Sequence, residues 1–114
     1  VFSLANALLL RPLGVEEPER LVRIGTTTAD ERYGITSWPD YEDLRDRVDG
    51  LNGLAATGWT LLGLRHGDET ERLVGEMVTW DYWSVLGVEP LPGRAFLREE
   101  DRRGAAAPVA VLSH

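Results

Sequence analysis

The chain contains no cysteine and no lysine, so all 12 of its basic residues are arginine. Without cysteine there is no disulfide, no thiol nucleophile and no thiolate metal site, and the redox compartment stays open. Without lysine, no glycine-rich stretch can act as a Walker-type phosphate loop. The two histidines, His66 and His114, lie far apart and outside any zinc-binding spacing, so we expect no metal site.

Positive charge is also scarce relative to negative charge. The 114 residues carry 19 Asp and Glu against 12 basic residues, which gives a formal net charge of -7 and a pI near 4.7. A protein that binds nucleic acid needs clustered basic residues to neutralise phosphates, so we expect no nucleic-acid partner. With 43% hydrophobic residues, the length suits one small domain with a modest core.

Long apolar runs are missing except at the N-terminus, where residues 1–10 are apolar apart from Ser3 and Asn6. Ten residues do not cross a bilayer, because a spanning helix needs about 20. Two interpretations stay open: a buried N-terminal helix or signal-peptide core, or the C-terminal end, residues 1–13, of a longer transmembrane helix in contact with lipid. In the second interpretation Arg11 and Pro12 lie at the membrane edge and couple the membrane to the following residues.

The next segments predict a linker, a strand and a helix. Residues 14–20 form an acidic linker that contains proline, and residues 21–28 have the β-branched content of a strand. Ser37 is the predicted N-cap of the helix, with a proline in the first turn and turn-forming residues at 49–53 as its end. An apolar stripe follows one face of this helix at intervals of three and four: Trp38, Tyr41, Leu44 and Val48.

Two further strands are predicted at residues 54–64 and 70–78, joined by a hairpin turn at residues 66–69. Glycine is uncommon inside strands, and Gly58 and Gly63 interrupt the first of these two. Because glycine in a strand often marks a bulge or a close backbone approach, we expect one of these features there.

Residues 77–96 are the stretch around which the rest of the chain is organised. A short helix is predicted over residues 80–86, with Thr79 as its N-cap and Gly87 as a left-handed stop. Its two turns are far below the dozen or so residues that an isolated helix needs, so the helix must pack on something else. A mixed-charge loop follows, and residues 108–112 are the last strand candidate.

The resulting order is strand, helix, strand, strand, helix, strand. This is the order of the split βαβ arrangement of ferredoxin-like folds, in which two helices cover one face of an antiparallel sheet. The predicted fold class is therefore α+β and ferredoxin-like. The connection before the last strand is long for such a compact unit. Because the chain begins in an apolar segment and ends on a strand candidate, we expect a fragment truncated at both ends.

The sequence shows none of the residue arrangements that an enzyme site requires. Carboxylates cluster at residues 40–46 and suggest a hydrolase or a metal site, but acidic residues in a first helical turn interact favourably with the helix dipole, and Asp43 is spaced to pair with Arg47. We therefore expect no enzymatic activity and no cofactor, and keep the hydrolase as an outside alternative. Trp59 and Trp80 are not assigned to helix core positions, and they form a candidate contact patch.

Several stretches, taken in order, resemble one protein family. They are residues 6–13 with 18–22, then 37–44, 53–56, 81–90, 93–96, 100–101 and 109–114. Together they are similar to the MacB-like periplasmic core domain of bacterial ABC-transporter permeases of the MacB and FtsX type. The resemblance covers nearly the whole chain and rests on the order of the stretches.

The resemblance implies that residues 21–114 are part of an extracytoplasmic core domain in the bacterial inner membrane, on its periplasmic or extracellular side. It implies two partners, a cytoplasmic ABC ATPase, separate or fused, and a second permease subunit in a homodimer. The domain itself would not be an enzyme, and it would couple ATPase-driven motion to export or partner engagement. The alternative that the residues leave open is a free-standing soluble binding module with an aromatic contact patch.

Overall fold

The computed structural model describes residues 15–27, 29–30, 34–104 and 107–113. The predicted end of a membrane helix at residues 1–13, with Arg11 and Pro12, lies outside these ranges. Within them, no helix has the length and the apolar character that crossing a membrane requires.

The described residues form a small α+β fold. Its regular elements are helix α1 (Trp38–Arg47), strand β1 (Thr57–His66), strand β2 (Glu69–Val78) and helix α2 (Tyr82–Leu86). Two 3₁₀ turns, Pro18–Arg20 and Arg98–Asp101, lie before and after them. The predicted α+β class is confirmed at this level, and the sheet is a single antiparallel pair, β1 with β2.

The two strands form a hairpin with an unbroken register over all ten residues of each strand. Gly67 opens the two-residue loop with φ of 63°. A glycine with positive φ at the first loop position suits a type II′ turn, whose twist matches that of the paired strands. The predicted turn is therefore confirmed. A bulge at Gly58 or Gly63 is wrong, because each residue of β1 has one partner in β2.

The strands predicted at residues 21–28 and 108–112 are not found among the described residues. The first segment makes one isolated bridge, between Thr26 and Gly34. In the last segment the Val109 N–H donates to the carbonyl two residues earlier at 2.9 Å, so this donor is used locally. A strand needs ladder partners along its length, and among the described residues the bridge between Thr26 and Gly34 is the one β-bridge that either segment forms.

Helix α1 begins and ends close to where the sequence predicts. The Ser37 hydroxyl accepts from the Asp40 N–H at 3.3 Å and donates to the Asp40 carboxylate at 2.6 Å, which confirms the predicted N-cap. The C-cap is Val48, one residue before the predicted turn. The predicted ion pair between Asp43 and Arg47 is also present, at 3.2 Å.

The core of the described residues is small, with only Tyr41 and Thr79 buried, at 7% and 4% exposure. Tyr41 lies in the middle of the predicted apolar stripe of α1. Its hydroxyl donates to the Leu54 carbonyl at 3.2 Å, and its ring centroid lies 5.0 Å from that of Trp38. Helix α1 therefore docks beside the start of β1 through one tyrosine.

Thr79 joins β2 to α2. Its N–H donates to the Ala56 carbonyl and its hydroxyl accepts from the Ala56 N–H, each at 3.0 Å. In a regular ladder the Ala56 N–H would donate to the Thr79 carbonyl, but here it donates to the Thr79 hydroxyl. The carbonyl instead accepts from the Tyr82 N–H at 3.1 Å and begins a helical turn. The prediction of Thr79 as N-cap is wrong for this reason, and Asp81 occupies that position instead.

Gly87 ends α2 as predicted, with φ of 66°. Its N–H donates to the Ser84 carbonyl at 3.2 Å, and the Val88 N–H donates to the Trp83 carbonyl at 3.0 Å. These two bonds form a Schellman motif, which satisfies the last carbonyls of a helix. The stop therefore depends on a residue that tolerates the left-handed conformation.

Helix α2 packs against the chain between α1 and β1. A Cβ added at Gly53 would lie 3.0 Å from Val85 Cγ2, so backbone and helix approach closely at this glycine. On the same helix, Tyr82 and Trp83 form an edge-to-face pair with centroids 5.3 Å apart. Helix α2 therefore packs on another part of the chain, as its short length requires, and at Gly53 that part is the loop before β1 and not a helix or strand.

Candidate functional site

A groove of about 280 Å³ lies between α1 and the Arg98–Asp101 turn. Three aromatic side chains line it: Trp38, Tyr41 and Trp80. Tyr41 is buried, whereas Trp38 and Trp80 are 42% and 38% exposed. A partly exposed indole offers an apolar face together with an N–H donor, so the two tryptophans can contact a ligand from solvent.

One hydrogen bond ties the groove to the joint between β2 and α2. The backbone N–H of Trp80 donates to Asp101 Oδ2 at 3.0 Å. Trp80 directly follows Thr79, which is paired with Ala56 at the end of the hairpin. The position of the Trp80 indole is thereby fixed from two sides, by the hairpin and by the Arg98–Asp101 turn.

Charged side chains of both signs complete the groove. Its arginines are Arg45, Arg98, Arg102 and Arg103, and its carboxylates are Glu42, Glu99 and Asp101. Four guanidiniums face three carboxylates, and one of the four, that of Arg45, is paired with Asp46, so the lining is close to neutral on a chain whose formal charge is -7.

The arginines of the groove differ in their partners. Arg45 pairs with Asp46 at 2.8 Å, and its guanidinium carbon lies 5.6 Å from the centroid of the Tyr41 ring. Arg98, Arg102 and Arg103 have no ion-pair partner among the described residues. Within the described residues, these three guanidiniums therefore differ from that of Arg45 in making no ion pair.

Glu100 holds the wall of the groove that carries these arginines. Its carboxylate accepts two bonds from the Arg94 guanidinium, at 2.6 and 2.9 Å, and one from the Leu97 N–H at 2.7 Å. The bonds from Arg94 first, and that from Leu97 second, lower the pKa of Glu100 from 4.5 to about 2. The Glu100 carbonyl also accepts from the Ala107 N–H at 3.1 Å. The segment predicted as a solvated loop is thus held in a defined turn.

Burial, and then the negative charge of Asp81, raises the pKa of Tyr41 above its usual value of 10.0. The phenol therefore stays protonated at neutral pH and continues to donate to Leu54. Tyr41 anchors the floor of the groove and is not a candidate for acid–base chemistry.

A second exposed surface lies on the hairpin, and we call it the open sheet face: Trp59, Leu61 and Val74. Leu61 is directly opposite Val74, and Trp59 lies two residues before Leu61, so the three side chains share one face. They are 77%, 76% and 70% exposed. Because β1 and β2 have no further neighbour among the described residues, the edges beside this face are open as well.

The structure places the two predicted contact residues on different surfaces. Trp80 lines the groove, whereas Trp59 belongs to the open sheet face and does not line the groove. The two are exposed but do not form one patch. Arg11 and Pro12, the predicted coupling residues, lie outside the described residues, so their role stays a prediction.

The carboxylates at residues 40–46 are largely engaged with their own helix. Asp40 bonds with the N-cap serine, Asp43 with Arg47, and Asp46 with Arg45. In the part of the chain that the structure describes, no group of three or more His, Cys, Asp or Glu is arranged to hold a metal ion.

The groove arginines are the residues that sequence reasoning missed. Arg98, Arg102 and Arg103 stand in a run of mixed charge, which is typical of a solvated loop. The ion pair between Arg94 and Glu100, which we call the clasp, orders this run. Its two residues are six positions apart, a spacing that is typical of neither a helix nor a strand. The sequence feature that indicates this surface is Trp80, because it is an aromatic residue outside the apolar stripe of α1.

In comparisons with known proteins, no protein-family model, no curated protein and no solved structure matches the chain. The resemblance to the periplasmic core domain therefore stays a prediction.

Proposed function

We propose that this chain is the extracytoplasmic part of a bacterial ABC-transporter permease. In this proposal residues 1–13 end a transmembrane helix, residues 14–20 link it to the lobe, and residues 21–114 belong to a periplasmic core domain. The lobe moves when a cytoplasmic ABC ATPase hydrolyses ATP, and it passes that motion to an exported substrate or a partner protein. A second copy of the permease completes the transporter.

The contact between the linker and α2 is the observation that carries the proposal. A Cβ added at Gly87 would lie 3.3 Å from Glu16 Oε2 and 3.4 Å from Glu16 Cβ, so the linker touches the end of α2. Within the same linker, an ion pair between Arg20 and Glu17 at 2.8 Å stabilises the turn at Pro18–Arg20. A displacement that reaches the linker from the membrane would therefore act directly on α2.

From α2 the displacement has a short route to both exposed surfaces. Thr79 connects the start of α2 to the hairpin through its two bonds with Ala56. The bond from Trp80 to Asp101 connects the same joint to the groove. Residues 81–90, the longest of the stretches that carry the family resemblance, lie at the centre of this connected set.

The finer architecture belongs to the same proposal. The hairpin would be one end of a ferredoxin-like sheet in the complete protein, with residues 21–28 paired with β2 and residues 108–112 paired with residues 21–28. What supports this is that both edges of the hairpin are open among the described residues, and that the open sheet face exposes large apolar side chains.

Replacing residues 21–113 by a short flexible linker in the parent permease tests the coupling role. We expect export of the transporter's substrate to stop while the protein stays in the membrane and still binds its ATPase. A matched pair of single changes sharpens the test: Leu61→Glu alters the open sheet face, and Arg72→Glu alters a polar position on the same side of the hairpin. Unchanged export after the deletion would overturn the coupling role.

The second candidate is a free-standing binding module. The aromatic groove favours it, because three of its arginines have no ion-pair partner among the described residues. Membrane fractionation of the native gene product separates the two candidates. A product that stays in the membrane pellet after an alkaline carbonate wash supports the permease. A product released without detergent supports the module.

A further inference from the structure

The groove between α1 and the Arg98–Asp101 turn is built from the residue types that dominate the energetics of protein–protein contacts. Trp, Tyr and Arg are enriched at such contacts, and the groove has Trp38, Trp80 and Tyr41 beside its arginines. We propose that it binds an extended, carboxylate-bearing segment of a partner protein.

The guanidiniums that make no ion pair among the described residues indicate that the bound segment carries carboxylates. Arg98, Arg102 and Arg103 have no ion-pair partner among the described residues. Asp101, which is adjacent to Arg102 in the sequence, already accepts the Trp80 N–H through Oδ2. A guanidinium presents a planar fork of N–H donors that fits a carboxylate, so acidic side chains are the natural ligands of this wall.

The acidic side chains of the groove exclude a simple anion site. Glu42 and Glu99 also line it, and they make no hydrogen bond or ion pair among the described residues. A fully ionised anion offers no hydrogen-bond donor to these two carboxylates. An extended peptide, by contrast, supplies backbone N–H donors to the carboxylates and acidic side chains to the arginines at the same time.

The aromatic lining fits a peptide segment as well. Trp38 and Trp80 are 42% and 38% exposed, so each can cover an apolar side chain of the bound segment.

This inference goes beyond the permease proposal and does not depend on it. Peptide binding is measured on the isolated 114-residue chain, whereas the permease role is measured in membranes. Failure of one therefore leaves the other standing.

An array of labelled peptides tests the inference. Each peptide has one central leucine, phenylalanine or tryptophan, flanked on both sides by glutamate, by glutamine or by arginine. We expect the wild-type chain to retain the glutamate-flanked peptides, with binding that weakens as NaCl concentration rises. Exposed arginine–carboxylate pairs are worth about 0.2–1 kcal/mol each, so Arg102→Ala combined with Arg103→Ala should raise Kd about 2- to 30-fold.

Arg72→Ala is the matched control, because Arg72 is exposed on the hairpin and does not line the groove. Its Kd should equal that of the wild type, and thermal unfolding should show that all variants fold. Equal retention of glutamate and glutamine peptides, or no retention at all, would overturn the inference. So would displacement by inorganic phosphate alone, or self-association in sedimentation that the double substitution abolishes.

Discussion

Replacing Thr79 with valine removes one hydroxyl from the joint between the hairpin and α2. Valine has nearly the shape of threonine, so packing changes little. Thr79 is 4% exposed, and its hydroxyl accepts from the Ala56 N–H at 3.0 Å. That part-buried N–H then has no acceptor, which costs roughly 1–3 kcal/mol of unfolding free energy.

Urea unfolding of the 114-residue chain, followed by the fluorescence of its four tryptophans, measures this loss. With an m value of roughly 1.5 kcal/mol/M, a cost of about 1–3 kcal/mol lowers the urea midpoint by about 0.7–2 M. The m value itself should stay the same, because the surface exposed on unfolding does not change.

Two further variants separate the hydroxyl from other effects. Thr79→Ser keeps the acceptor and should recover most of the midpoint. Thr57→Val removes an exposed hydroxyl that bonds to Glu76, and its effect should stay within about 0.5 kcal/mol. If Thr79→Val and Thr57→Val shift the midpoint equally, the joint is not held by the bond to Ala56 and the reasoning is refuted.

Three other predictions concern the groove and its supports. Tyr41→Phe removes the donor to the Leu54 carbonyl and should cost about 0.5–1.5 kcal/mol in urea unfolding; no change would mean that the ring alone anchors α1. Gly87→Ala places a Cβ on a residue with φ of 66° and should cost roughly 1–2 kcal/mol in thermal unfolding; an unchanged Tm would contradict the role of the left-handed stop. Because the pKa of Glu100 is lowered from 4.5 to about 2, its clasp with Arg94 stabilises the fold above pH 4.5, and this stabilisation is lost as pH falls towards 2. Thermal unfolding across this pH range should show a smaller loss for Glu100→Gln than for the wild type, and parallel losses would exclude the clasp as the cause.

The features that were predictable from the sequence depend on short-range chemistry. Ser37 caps α1 through a residue three positions away, and Gly67 and Gly87 adopt positive φ where a turn and a helix end require it. Each of these signals lies within a few residues of the structure it produces. Their outcomes could therefore be predicted without knowledge of the tertiary fold.

Features that depend on distant partners were not predictable in the same way. The Thr79 hydroxyl bonds to Ala56, 23 residues earlier in the chain, and so does not cap α2. The strand-like composition of residues 21–28 and 108–112 does not create the ladder partners that a strand needs, and the described residues form a two-stranded sheet. Propensity was outweighed by the availability of hydrogen-bond partners.

The candidate site was predictable only in part. The exposure of Trp59 and Trp80 was expected, but their positions on two separate surfaces depend on strand register and on the bond from Trp80 to Asp101. The guanidiniums of the groove are positioned by the clasp between Arg94 and Glu100. No local pattern in the sequence indicates that a mixed-charge run will be ordered in this way.

The central claim is that this lobe lies outside the cytoplasm, attached to a membrane segment. The 114 residues contain no cysteine, so a single one introduced as Asp68→Cys in the exposed hairpin turn adds one unique thiol within them. Intact cells producing the parent protein are treated with a maleimide that cannot cross the inner membrane, with the unsubstituted protein as the reference. We predict that the Asp68→Cys protein is labelled in intact cells; labelling only after the cells are lysed would contradict the claim.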